Sequence, residues 1–133
     1  MKVSVNGGAQ QTVSCFAAGA FAPSTGNAVS IAMTGALADV QAAQFAMTLP
    51  SAPSARTYGA ADVSTAVGQV QTAGGALYLQ NKFGSIGTFS VVLTNVSSAS
   101  ANGQTAYFLH GSATVTLAGQ SGAPGTATIT ATF

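Results

Sequence analysis

Thr126-Ala127-Thr128-Ile129-Thr130-Ala131-Thr132-Phe133 is the stretch whose reading decides the fold. Apolar side chains at 127, 129 and 131 alternate with threonines at 126, 128, 130 and 132. Successive side chains of a strand point to opposite faces, so a period of two marks a strand with one face in hydrocarbon and one in water. Threonine suits that role because its branched side chain packs well on a pleated surface. The threonine face reads as a solvated sheet surface. A flat array that orders water is the sharper alternative, but it needs neighbouring strands with Thr-x-Thr runs of similar length, and the sequence has none.

The same alternation recurs upstream. Val3 and Val5 alternate with Lys2 and Ser4, and Asn6-Gly7-Gly8 follows as a hairpin turn. Asn and Gly tolerate the positive φ that such turns require. The expected return strand runs from Thr12 to Phe16. Val29, Ile31 and Met33 share one face, as do Phe45, Met47 and Leu49. Pro50 and Pro53 end the latter set, because proline cannot sit in a central strand. Val67 to Gln71 is a weaker strand. Gly74-Gly75 turns into Ala76 to Gln80, where Leu77 and Leu79 point one way.

Phe89, Val91 and Leu93 form the next stripe, and Val92 makes both faces partly apolar, as in a central strand. Ser97 to Gln104 reads as a polar loop containing Asn102-Gly103. Tyr107 to Leu117 alternates Leu109, Ala113, Val115 and Leu117 against His110, Ser112, Thr114 and Thr116. A Gly/Pro loop over 119–125 leads to the closing strand.

About eight to nine short strands with turn residues between them predict an all-β fold, an antiparallel β-sandwich or flattened barrel. Residues 36–47 are the ambiguous stretch. Leu37, Val40 and Met47 also fit a helical face that Asp39 would cap, so a short helical turn is the alternative there. No repeat and no linker divides the chain, so residues 1–133 read as a single domain.

Charged residues make up 4% of the 133, against roughly 25% in ordinary globular domains. They are Lys2, Asp39, Arg56, Asp62 and Lys82, and the net charge is +1. Three scattered cations make no patch for phosphates, which excludes nucleic acid as a partner. Near-neutrality also removes the repulsion that keeps copies of a small domain apart. No run approaches the length of a membrane-spanning helix. Met1-Lys2 resembles a leader opening, but Ser4, Asn6, Gln10 and Gln11 interrupt any apolar segment. The expectation is a chain from which an export signal has already been removed, located outside the cell or in its envelope.

Chemistry-bearing residues are sparse. Cys15 is the single cysteine and reads as a small buried hydrophobe; Thr12-Val13-Ser14 is a poor match to a lipid-attachment signal. His110 is the single histidine, and no Gly-x-Ser-x-Gly elbow accompanies it. Asp39 and Asp62 show no informative spacing for paired acid–base work. One His, one Cys and two Asp cannot supply a zinc site. No catalytic residue, metal or cofactor is expected, and the chain reads as a non-enzyme. Asn95-Val96-Ser97 is a glycosylation sequon, meaningful only in a eukaryotic secretory setting. For ligand binding the candidates are Tyr58, Tyr78 and Tyr107, whose rings can stack on sugars.

An opening Asn-Gly hairpin, Leu49-Pro50 followed by Tyr58-Gly59, a Gly-Thr-Phe-Ser strand at 87–90, a second Asn-Gly turn and a Thr-rich closing strand together resemble uncharacterised bacterial exported domains, often lipoprotein-borne. The resemblance implies an envelope or extracellular β-sandwich and brings no catalytic residues. The expected role is a structural or adhesion module that self-associates through edge strands, with copies of itself or another envelope protein as partner. The terminal strands at Val3–Val5 and Thr126–Phe133 are the expected edges. A small-ligand or glycan-binding module is the alternative.

Overall fold

A computed structural model describes residues 1–12, 15–16, 20–21, 29–35, 40–81 and 87–133. The strands are β1 (Lys2–Val5), β2 (Gln11–Thr12), β3 (Cys15–Phe16), β4 (Ala20–Phe21), β5 (Val29–Gly35) and β6 (Val40–Leu49). They continue as β7 (Thr57–Tyr58), β8 (Thr65–Thr72), β9 (Leu77–Asn81), β10 (Thr88–Ala101), β11 (Gln104–Gln120) and β12 (Thr126–Thr132). Every pairing is antiparallel. The fold is all-β, as the alternation predicted.

The strand order is β2-β1-β12-β11-β4-β5-β6-β8-β9, with β10 on β11, β7 on β10 and β3 on β5. The sheet is not closed into a barrel: β2 and β7 each pair on one side only among the described residues. The long strand β11 joins its parts. Along one edge it pairs first with β10 and then, at Ala118–Gln120, with β9; along the other it pairs with β12 and, at Ala106–Tyr107, with β4.

Two leaves of the sheet bury a common interior. Phe45, Met47 and Leu49 of β6 with Ala66 and Val70 of β8 line one side. Val3 of β1, Phe89, Val91 and Leu93 of β10, Ala113, Val115 and Leu117 of β11, and Ala127, Ile129 and Ala131 of β12 belong to the same cluster, as do Ala43, Tyr58, Val63 and Tyr78. Phe45 and Phe89 meet with ring centroids 5.3 Å apart and planes tilted by 48°, a favoured aromatic geometry. Each large aliphatic side chain taken fully out of water contributes roughly 1.5–3 kcal/mol, and the alternation turns an apolar side chain, large or small, inward at every second position of β12.

The structure closes one open alternative and corrects two expectations. Residues 40–47 are strand, not helix; the register with β5 and β8 holds Ala43, Phe45 and Met47 on the buried face, which a helix could not do. Residues 36–39, including Asp39, lie outside those described. The return strand after β1 is short, because only Gln11 and Thr12 pair with β1, while Cys15 and Phe16 pair with β5. In β9 Leu77 and Leu79 are half-buried, and Tyr78 between them is the buried side chain. The polar stretch expected as a loop over 97–104 is two paired strands running to a two-residue turn at Asn102-Gly103. Both turn residues have positive φ, 53° and 74°, the signature of the tight hairpin turn whose twist matches its strands.

Candidate functional site

The three tyrosines occupy three different settings. Tyr58 on β7 is 2% exposed, and its hydroxyl accepts from the Ser54 N–H at 2.7 Å and donates to the Ser54 carbonyl at 2.9 Å. The Arg56 guanidinium lies 4.3 Å from its ring centroid. Burial pushes the Tyr58 phenol up, but the Ser54 hydrogen bonds and the adjacent guanidinium outweigh it and leave it below its ordinary pKa. Tyr78 on β9 is likewise buried. Its hydroxyl donates to the Pro124 carbonyl at 3.3 Å and receives the Asn6 side-chain N–H at 3.4 Å. It thereby ties the Gly/Pro loop before β12 to the turn after β1. Neither ring offers a face to a sugar. Tyr107 on β11 is half-buried and sits in the far part of the β10–β11 hairpin. The three rings form no common platform.

The titratable side chains are also apart. His110 is exposed and pairs with Asn95. Asp62 belongs to the segment around β7: it accepts from Arg56 at 2.8 Å and from the Gly59 N–H at 2.9 Å. The Gly59 N–H, then the Arg56 charge, hold its carboxyl below the ordinary range. Among the described residues no three His, Cys, Asp or Glu side chains gather as metal ligands would.

Two features are surface-accessible and organised. The first is the outer edge of β10. At Val91 and Val92 this edge is covered by β7, and the Leu93 N–H donates to the Arg56 carbonyl at 2.9 Å. A bulge then interrupts the register between Leu93 and Asn95. Thr94 caps it by donating its hydroxyl to the His110 carbonyl at 3.1 Å. From Asn95 to Ala101 the strand pairs only with β11 among the described residues. That edge carries no charge and no proline, the two devices that usually blunt an exposed edge. Phe108, opposite Ser97, is 56% exposed beside it.

The second feature is a hollow of about 370 Å³ over β1, β2, β11 and β12. Lys2, Thr12, Ser112, Thr114, Thr130 and Thr132 line it. The register explains their convergence. Thr114, Thr130, Lys2 and Thr12 are direct cross-strand partners in one row over four strands, and Ser112 with Thr132 forms the next row.

The terminal strands are not the free edges expected. β12 pairs with β1 on one side and with β11 on the other. Sequence reading missed both organised features. The bare edge had a signal in the uncharged, proline-free run before Asn102-Gly103. The hollow had none, since its residues come from strands far apart in the chain.

No protein-family model, no curated protein and no solved structure matches the chain. No helix among the described residues is long and apolar enough to cross a membrane.

Proposed function

We propose that this chain is a non-catalytic exported or cell-surface structural module that associates with further copies of itself. The observation that carries the reading is the bare edge of β10 from Asn95 to Ala101. Its outward N–H and C=O groups are a template for another strand. The same segment of a second copy, related by a two-fold axis, supplies a self-complementary partner. Small side chains permit close approach, and a net charge of +1 opposes it little. Charge-poor composition and abundant Gly, Ser and Thr support a location outside the cell. One His, one Cys and two Asp in the whole chain support a role without catalysis.

The test is sedimentation velocity across a concentration series, with and without Ser97→Lys/Ala99→Lys. Wild-type protein is expected to shift from monomer to dimer as concentration rises. The double variant, which sets like charges opposite each other in the paired edge, is expected to stay monomeric at unchanged thermal stability. Wild-type protein that is monomeric at every concentration refutes the reading, as does association that the variant leaves intact.

A further inference from the structure

We infer that the hollow over β1, β2, β11 and β12 is a binding site for an acidic oligosaccharide. It lies on the outer face of the sheet around β12, whereas the association edge is on β10, so the two readings stand on separate observations.

The concavity comes first. Its volume of about 370 Å³ falls within the size range of small-molecule sites. A solvated sheet face needs no hollow, and a plane that orders water would be flat. The lining comes next. Five side chains around it, Thr12, Ser112, Thr114, Thr130 and Thr132, are hydroxyl-bearing. Among the described residues none of these hydroxyls has a side-chain partner within the protein. Each hydroxyl can both donate and accept, which suits the hydroxyls of a sugar, themselves donors and acceptors. Strand geometry spaces them about 4.8 Å across the ladder and about 6.8 Å along it. The four threonines are stiff at χ1, so ordering them on binding costs little.

Charge selects the acidic class. Lys2 is the charged side chain of the lining, and no carboxylate faces it from the other lining residues. A uronic-acid carboxylate would find a complementary ammonium there. Among the described residues no aromatic ring lines the hollow, so the stacking that gives tighter sugar sites their affinity is not supplied by them. The expected dissociation constant is accordingly weak, about 1 mM.

Backbone-amide chemical shifts during titration with trigalacturonic acid test the proposal, with maltotriose as the neutral counterpart. The titrations use the Ser97→Lys/Ala99→Lys background, so that association of copies neither creates nor masks a response. Saturable shifts are expected at Lys2, Ser112–Thr114 and Thr130–Thr132. Thr114→Val/Thr130→Val keeps branched strand-forming side chains and removes two hydroxyls; it is expected to weaken binding about tenfold or more. Lys2→Gln is expected to weaken trigalacturonate several-fold and to leave maltotriose unchanged. Three results overturn the proposal: no saturable shift up to about 20 mM ligand, well above the expected constant; binding indifferent to the double valine variant; or maltotriose binding as tightly as trigalacturonate.

Discussion

The two halves of the β10–β11 hairpin obey the same pairing rules and have opposite fates. In the near half, Thr88–Leu93 against Gly111–Thr116, Phe89, Val91, Leu93, Ala113 and Val115 are buried and β7 covers the outer edge. In the far half, Asn95–Ala101 against Gln104–His110, no residue with described burial is fully buried, and the outer edge is bare. The ladder of backbone hydrogen bonds continues through both. Val96, Tyr107 and Leu109 of the far half still pack, half-buried, against the core, so the contrast lies at the edge, where covering a strand takes side chains that anchor the covering one. Tyr58 is that anchor: its ring is buried and its hydroxyl holds the Ser54 turn. Among the described residues no strand pairs with the outer edge of β10 in the far half.

The sharpest way to break this comparison is to delete one large apolar side chain from each half. Leu93, on β10 in the near half, is buried, and Leu93→Ala is expected to cost about 3 kcal/mol of unfolding free energy in urea. Phe108→Ala in the far half is expected to cost less than about 0.5 kcal/mol, measured at a concentration where the protein is monomeric. Comparable losses would mean that the far half shares the interior after all.

The junction itself comes next in size. Gly111 stands opposite the bulge, exchanges backbone hydrogen bonds with Phe133, and has the Val92 carbonyl where a Cβ would go. Gly111→Ala must push β10 off its path and is expected to cost about 2 kcal/mol. Hydrogen exchange is expected to accelerate on both sides of the bulge. An alanine tolerated without loss would show that the two halves are not rigidly joined.

The smallest expected effect concerns the cover. Asp62 has a depressed carboxyl pKa in the folded state, so its contribution is present above the unfolded value of about 3.9 and is lost as pH falls through the folded one. The carboxyl is exposed to solvent and its Arg56 pair is screened, so the change is small. Amides of β7 and of Val91–Leu93 are expected to lose protection at acid pH, and those of Asn95–Ala101 are not. Asp62→Asn should abolish this acid response. With only two Asp or Glu residues in the chain, carboxylates are expected to add little other pH dependence to global stability.

The near half was legible in the sequence because burial writes a period of two into it: Phe89, Val91 and Leu93 on one side, Thr88 and Ser90 on the other. The far half was legible only in part: Leu109 belongs to the alternation read from Tyr107 to Leu117, whereas Asn95 to Ala101 has Val96 as its one large apolar side chain and looks like any polar loop. Only Asn102-Gly103 betrayed a hairpin there. Residues 40–47 were ambiguous for a related reason. Alanines fit either a helical or a pleated face, and pairing with β5 and β8 settled the matter. Tyr58 and Tyr78 were recognisable as tyrosines at turns, but whether a ring faces solvent or interior depends on what packs over it. Tyr78 turned inward because the phase of β9 is set by its ladders with β8 and β11.

By itself, the order of residues determined that this chain is built of antiparallel strands and which side chains of most of them enter the interior, since both follow from local alternation and turn chemistry. Tertiary structure alone decided that β12 lies inside the sheet, that β10 keeps a bare edge, and that hydroxyls from β2, β11 and β12 meet beside Lys2 of β1. Those outcomes depend on which strands pair, a choice made by contacts between residues far apart in the chain, of which no single segment carries a record.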